Sequence, residues 1–94
     1  MTGVRWSPKS RADMQSQYND IAKPDSDAAV RVVETIEQRG NWLCELPFGG
    51  AAIDRTDFRA STVAALTYII IYRLRSRSVS IVYLHHQSQN RQPR

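Results

Sequence analysis

The C-terminal third of the chain carries side chains suited to chemistry on an anionic partner. Histidine exchanges protons near neutral pH, and arginine holds a phosphate through two parallel hydrogen bonds. Metal-independent cleavage of RNA needs a base, an acid and cations for the developing negative charge. The residues that could supply these groups are Arg59, Arg73, Tyr83, His85 and His86.

Strand geometry limits how these groups can combine. Adjacent residues on a strand point to opposite faces, so at most one of His85 and His86 can share a site with Arg73. The same geometry, with Cys44 far away in the sequence, does not match the ligand spacing of a zinc site. We therefore expect no metal and no cofactor.

The charge is unevenly distributed along the 94 residues. Residues 1–62 hold eight Lys or Arg and nine Asp or Glu, whereas residues 63–94 hold five Arg and no acid. Such a basic end indicates an anionic partner, either nucleic acid or an acidic protein segment. The longest strongly apolar run, residues 68–72, is too short to span a membrane, and no signal peptide is evident. With a single cysteine, the chain is expected in the cytoplasm.

The elements that must position these residues begin with a strand and a helix. Val4–Trp6 is a short β-favouring run. Ser7 follows as a helix N-cap, with proline at the first helical position. Met14, Tyr18 and Ile21 form one apolar stripe. Because proline disfavours helical geometry in the preceding residue, Pro24 ends the helix near residue 22.

A second helix is predicted from Asp25–Asp27 onward. Its apolar residues recur at the spacing of one helical face, and that stripe can extend to Leu43. Gly40-Asn41 indicates an end or a fray of this helix. The short linker between the helices predicts an antiparallel αα-hairpin.

The second half of the chain is predicted to be a loop followed by strands. Residues 45–56 lose the helical period and read as a loop. A short strand is expected around Phe58–Val63. The run from Leu66 to Arg75 is apolar on both faces, which is typical of a central strand. Arg75–Ser78 is then the hairpin connection, and Val79–Leu84 is the returning strand.

The resulting order, β-α-α-β-β-β, predicts an α+β fold in which the helical hairpin packs on one face of a small, mainly antiparallel, twisted sheet. Residues 1–86 are expected to form a single domain, and residues 87–94 a flexible basic tail. Ile69, Ile71 and Arg73 would lie on the other face of the sheet. A face of this character suggests that a partner covers it, although the 45–56 loop or a second copy could do the same.

The order and spacing of several short motifs resemble the ParE branch of the RelE/ParE superfamily, the toxins of bacterial type II toxin-antitoxin pairs. The most specific motif is Tyr68-Ile69-Ile70-Ile71-Tyr72-Arg73, followed by Val79-x-Ile81 and His86. The other motifs are Val4-x-Trp6-Ser7-Pro8, Ala12-Asp13-Met14, Asp27-Ala28-Ala29-x-Arg31-Val32-Val33-x-x-Ile36 and Leu46-Pro47-x-x-Gly50. The chain departs from the family pattern at Ala60, Ser61 and Gln89.

The resemblance implies a toxin that a cognate antitoxin neutralises in a hetero-oligomer. ParE-like members inhibit DNA gyrase, whereas RelE-like members cut mRNA on the ribosome, commonly with Lys and Arg together. Because no lysine follows Lys23, a non-enzymatic gyrase inhibitor is the favoured hypothesis. A metal-independent endoribonuclease that uses Arg59, Arg73 and His86 is the alternative. The predicted partner-binding residues are Arg59, Ile69, Ile71, Arg73, Arg75, Arg77, His86 and Arg91.

Overall fold

The structure, a computed structural model, describes residues 3–63 and 68–86. Its elements in chain order are β1 (Gly3–Trp6), α1 (Pro8–Ala22), α2 (Ser26–Glu45), β2 (Ala51–Ala52), β3 (Phe58–Val63), β4 (Tyr68–Arg75) and β5 (Ser78–His86). The two helices pack on a five-stranded sheet. The predicted α+β class is therefore confirmed, with one short strand more than expected.

Both helices begin at the predicted caps. The Ser7 hydroxyl accepts a hydrogen bond from the Ser10 amide at 3.0 Å, and the Asp25 carboxylate accepts one from the Ala28 amide at 3.0 Å. These bonds satisfy amides that have no partner within the helix. The first helix ends at Ala22, as predicted.

The second helix continues through Gly40-Asn41, so the predicted end at this dipeptide is wrong. The helix runs on to Glu45. Gly40 is buried, and a Cβ atom there would lie only 2.7 Å from Cζ2 of Trp6. The glycine therefore lets the helix cross the Trp6 ring closely, a tertiary contact that outweighs the low helix propensity of glycine.

The sheet has the strand order β1-β5-β4-β3-β2, which makes β4 the central strand, as predicted. The first strand pairs with β5 in parallel, and all other pairs are antiparallel. The expected hairpin joins β4 and β5, and β5 extends beyond the predicted Leu84 to His86. The third strand spans the predicted residues 58–63. The predicted start of β4 at Leu66 and the predicted tail at 87–94 lie outside the described residues.

The predicted loop at 45–56 contains a strand that the sequence did not indicate. Ala51 and Ala52 form β2 and pair with Ala60 and Arg59 of β3. A strand of two residues is too short to display an alternating pattern, so its pairing comes from the neighbouring strand rather than from its own composition.

The core lies between the helices and the inner face of the sheet. Its fully buried side chains are Ile36 and Leu43 of α2, Ile70 and Tyr72 of β4, and Val79 and Ile81 of β5. Tyr72 also connects the core to the loop after α2. Its hydroxyl donates to the Pro47 carbonyl at 2.9 Å and accepts from the Gly50 amide at 3.0 Å.

Replacing Gly50 with alanine should reduce the free energy of unfolding by about 1–3 kcal/mol, the usual cost of overpacking a rigid site. The new Cβ atom would lie 2.6 Å from the Ala60 carbonyl oxygen and 2.6 Å from the Tyr72 hydroxyl. Urea denaturation measures the change. Gly3→Ala is the matched control, because a Cβ at Gly3 meets nothing within 4 Å. Equal stability of the two variants would contradict a tightly held loop.

Candidate functional site

The face of the sheet that points away from the helices, here called the outer face, carries most of the predicted partner-binding residues. Tyr68, Ile70 and Tyr72 of β4 enter the core, so the alternate residues of the strand, 69, 71, 73 and 75, lie on the outer face. The register places Arg73 between Phe58 and Ser80. Ser80 in turn pairs with Arg5 of β1, so the two arginines flank a small side chain.

The cationic end of this face has four arginines. Arg75 pairs with Ser78, one residue pair beyond Arg73, and Arg77 lies in the connecting turn. With Arg5, these side chains surround small serines rather than bulky groups. In the sequence, no acidic residue follows Asp57. The result is a positively charged surface that suits carboxylate or phosphate groups.

Arg73 is the best-positioned of these cations. Its Cζ atom lies 4.3 Å from the centroid of the Phe58 ring, a cation–π contact. Its Nη2 atom lies 3.6 Å from Oδ1 of Asp57, whose side chain is 67% exposed. An ion pair this exposed contributes little. The Nε atom is buried without a hydrogen-bond partner, so binding at Arg73 must use the terminal nitrogens.

The apolar part of the outer face offers less free surface than the sequence implied. Ile71 is only 7% exposed, because it lies on the central strand between its register partners Ala60 and Tyr83. Ile69 is half-buried. His85 pairs with Ile69, and its ring stands edge-on to Tyr83 at 6.4 Å between centroids.

Arg59 and His86 lie on the opposite, helix-facing side of the sheet. Arg59 pairs with the core residue Tyr72, and His86 pairs with Tyr68, against whose ring it stands edge-on at 4.9 Å. The structure thus does not bring Arg73 together with the other two residues of the nuclease hypothesis. The predicted opposite orientation of His85 and His86 is confirmed by the register.

On the helix side of the sheet, Arg59 binds the backbone of the loop that follows α2. Its Nη2 atom donates to the Gly50 carbonyl at 2.7 Å and to the Phe48 carbonyl at 3.4 Å. The sequence placed this residue among the partner-binding arginines from its charge and its match to the family pattern. The register with Tyr72, which charge does not reveal, decides its position.

A polar cleft of about 350 Å³ lies between α1 and the end of β5. Since β1 ends at Trp6, no strand among residues 3–63 and 68–86 lies beside this edge of β5 beyond Ile81. Two side chains satisfy backbone groups along this edge: the Ser7 hydroxyl donates to the Val82 carbonyl, and the Asp13 carboxylate accepts from the Leu84 amide at 3.1 Å. Ser7 and Asp13, which belong to two of the sequence motifs, therefore cap this edge by bonding backbone groups of β5 that no strand pairs with.

Comparison with known proteins agrees with this fold. The family described as "ParE toxin of type II toxin-antitoxin system, parDE" matches residues 4–91. The chain belongs to the ParE toxin family. A candidate toxin of Sinorhizobium fredii, Y4kP, is 34% identical over 86 residues, which cover 92% of this chain and 88% of that protein. The predicted resemblance is therefore confirmed.

A solved structure shows the same fold. The chromosomal ParDE toxin-antitoxin system from P. aeruginosa contains a chain that superposes on this ParE toxin with a TM-score of 0.81. The match covers 92% of this chain and 96% of the other at 17% identity, so it supports the fold alone. Within residues 3–63 and 68–86, no helix is long and apolar enough to cross a membrane.

Tyr68 of the ParE toxin is the titratable group that this environment shifts most clearly. Burial raises the pKa of Tyr68, and the nearby Asp20 carboxylate raises it further. The tyrosine hydroxyl donates to Oε1 of Gln17 at 2.8 Å in the polar cleft. Folding therefore favours the protonated phenol.

This raised pKa predicts how stability depends on pH. The contribution of the Tyr68 phenol to the free energy of unfolding is fully present below the pKa of an unfolded tyrosine, about 10. It is lost as the pH rises through the higher pKa of the folded state. Urea unfolding at pH 8 to 11 should show that the wild type loses stability more steeply than Tyr68→Phe above pH 10. Parallel curves for the two proteins would contradict the assignment.

Proposed function

We propose that this ParE toxin inhibits DNA gyrase in the cytoplasm and so blocks replication, and that a cognate antitoxin neutralises it in a hetero-oligomer. Family membership and the fold shared with a ParDE system support the toxin-antitoxin role. The observation that favours a binding mechanism over RNA cleavage is the strand register, which puts Arg73 on the opposite face of the sheet from Arg59 and His86.

Cleavage of RNA needs its acid, base and phosphate-binding groups within hydrogen-bond reach of one substrate. Arg73 lies on the outer face, whereas Arg59 and His86 lie on the helix side. Arg59 is also engaged with the Gly50 carbonyl. The sheet separates Arg73 from Arg59 and His86. His85 shares the outer face with Arg73, but it pairs with Ile69, four residues along β4, which is about 13 Å at the rise of a strand. A toxin that acts by occupying a protein surface accounts better for this placement.

The outer face is our candidate for the antitoxin surface. Its cationic end complements an acidic segment, and interfaces favour arginine because its planar group pairs with carboxylates. Half-buried Ile69 adds apolar area on the same face, four residues along β4 from Arg73. Arg91, which lies outside the described residues, belongs to the same proposal by its charge and its position after β5.

The function is tested with purified toxin in two assays run side by side. DNA supercoiling by gyrase should be inhibited, and translating mRNA on ribosomes should stay intact. Addition of the cognate antitoxin should restore supercoiling. Cleavage of mRNA with normal supercoiling would overturn the proposal in favour of the nuclease.

Charge reversal by Arg73→Glu should weaken the antitoxin complex at least about tenfold, because truncating or reversing one partner of a buried charge pair costs about 2–5 kcal/mol. Isothermal titration calorimetry measures the affinity. Arg31→Glu, at an exposed position on α2, is the matched control. Arg73→Gln separates loss of the cation from repulsion by Asp57. Unchanged affinity in both Arg73 variants would argue against the outer face.

A further inference from the structure

The loop from Leu46 to Gly50, here called the 46–50 loop, presents apolar side chains to solvent. Phe48 is 70% exposed and Leu46 is 51% exposed. Among the described residues, Val30 on α2 is the other large hydrophobic residue classed as exposed. Neither side chain of the loop contributes to the core. An exposed aromatic beside an exposed leucine is typical of an interaction surface.

Hydrogen bonds from the sheet hold the backbone of the loop in place. The buried Tyr72 hydroxyl bonds both the Pro47 carbonyl and the Gly50 amide. Arg59 donates to the carbonyls of Phe48 and Gly50. These contacts order a loop whose own apolar side chains remain outside the core. Ordering the backbone in advance reduces the entropy lost on binding.

The ring of Trp42 supports the other end of the loop. Gly49 lies so close to this ring that a Cβ atom would be 2.5 Å from Cη2 of Trp42. The Arg39 guanidinium lies 4.4 Å from the centroid of the same ring, and that of Arg59 lies 5.1 Å from the Phe48 ring. The exposed Phe48 ring thus has one cation against it, and a second cation lies against the Trp42 ring that supports the loop.

We propose that the 46–50 loop is the surface by which the toxin engages its target, a folded protein with an apolar pocket rimmed by carboxylates. The inference rests on the proposed function in one respect: that the toxin acts by binding a protein. A side chain as exposed as Phe48 projects outward and needs a concave pocket, which folded proteins supply. Arg39 provides a cation that a carboxylate rim complements, and Arg59 adds positive charge while its Nη2 atom holds the loop carbonyls.

The residue types agree with this assignment. Interfaces concentrate their binding energy in a few residues, and these are enriched in tryptophan, tyrosine and arginine, with other aromatic residues also common in interface cores. Trp42, Phe48, Arg39 and Arg59 bring these types together around one short loop. Of these four residues, only Trp42 also packs against the core.

The loop and the proposed antitoxin surface can be tested separately. Arg59, which holds the loop, faces the helix side of the sheet, and Arg73 faces the outer side. A substitution at Phe48 therefore leaves the arginines of the outer face in place. Loss of target binding without loss of antitoxin binding is the signature that the proposal requires.

The experiment compares Phe48→Ala and Leu46→Ala with the matched control Val30→Ala in the full chain. Each toxin is induced in growing cells, and growth arrest is scored against the amount of toxin made. Purified proteins are then tested for inhibition of gyrase supercoiling, antitoxin affinity and thermal stability. Because these side chains are exposed, we expect unchanged melting temperatures for all three variants.

Phe48→Ala should reduce potency at least about tenfold, the loss typical of a central interface residue, while Val30→Ala stays at wild-type potency. Antitoxin affinity should change less than twofold in every variant. Wild-type potency of both loop variants would overturn the proposal, as would a matching loss of antitoxin affinity, which would reassign the loop to the antitoxin.

Growth arrest keeps this inference distinguishable from the proposed function. If the wild type arrests growth without inhibiting supercoiling, gyrase is not the target. Growth arrest by the loop variants then still tests whether the loop binds the protein that is the target. If the wild type inhibits supercoiling but the loop variants do so equally well, the function stands and the loop proposal fails. The two results cannot be confused.

Discussion

A buried phenol on the central strand connects the core of this protein to its surface features. The Tyr72 ring is fully enclosed by the core, and its hydroxyl bonds the Pro47 carbonyl and the Gly50 amide. A buried polar group left without a partner costs about 1–3 kcal/mol. The core can therefore close over this ring only when the segment after α2 comes down to meet the hydroxyl. That segment then runs into β2 and completes the edge of the sheet.

The same strand sets the second constraint, which is the alternation of side chains along β4. Tyr72 faces the helices, so Arg73 must face outward, and the register assigns Arg59 to the side of Tyr72. A shift of one residue in this register would exchange the faces of every side chain. Packing of the core, rather than the charge that the arginines share, thus decides which of them lie on one face and can contact the same partner.

The sequence predicted those parts of the fold whose signals are local. Ser7 and Asp25 marked both helix starts, and the apolar run of β4 marked the central strand. Three features depended on contacts between distant segments and were missed. Gly40 continues the helix because Trp6 lies against it, β2 forms because β3 is beside it, and Arg59 points inward because it pairs with Tyr72.

Of the two candidate surfaces, the sequence predicted the outer face but not the 46–50 loop, again because only the first has a local signal. Arg73 reached the outer face as the alternation of β4 required, whereas Phe48 stood in a segment that displayed no periodicity at all. Nothing in the local sequence says whether an apolar loop residue packs inward or stays exposed. That outcome follows from Tyr72, which bonds Pro47 from 25 positions away, and from Arg59, which bonds Phe48 from 11 positions away. Both residues hold the loop backbone rather than its side chains.

The edges of the sheet explain why its faces and its loop are the better candidates for binding. An open strand edge invites pairing with another chain. Here the two edge strands are short, with four residues in β1 and two in β2, and the part of β5 beyond Ile81 is capped by Ser7 and Asp13. Strand addition along that part of β5 would have to displace bonds that already satisfy its backbone. A partner gains more from the arginines of the outer face or from Phe48, where it displaces only water.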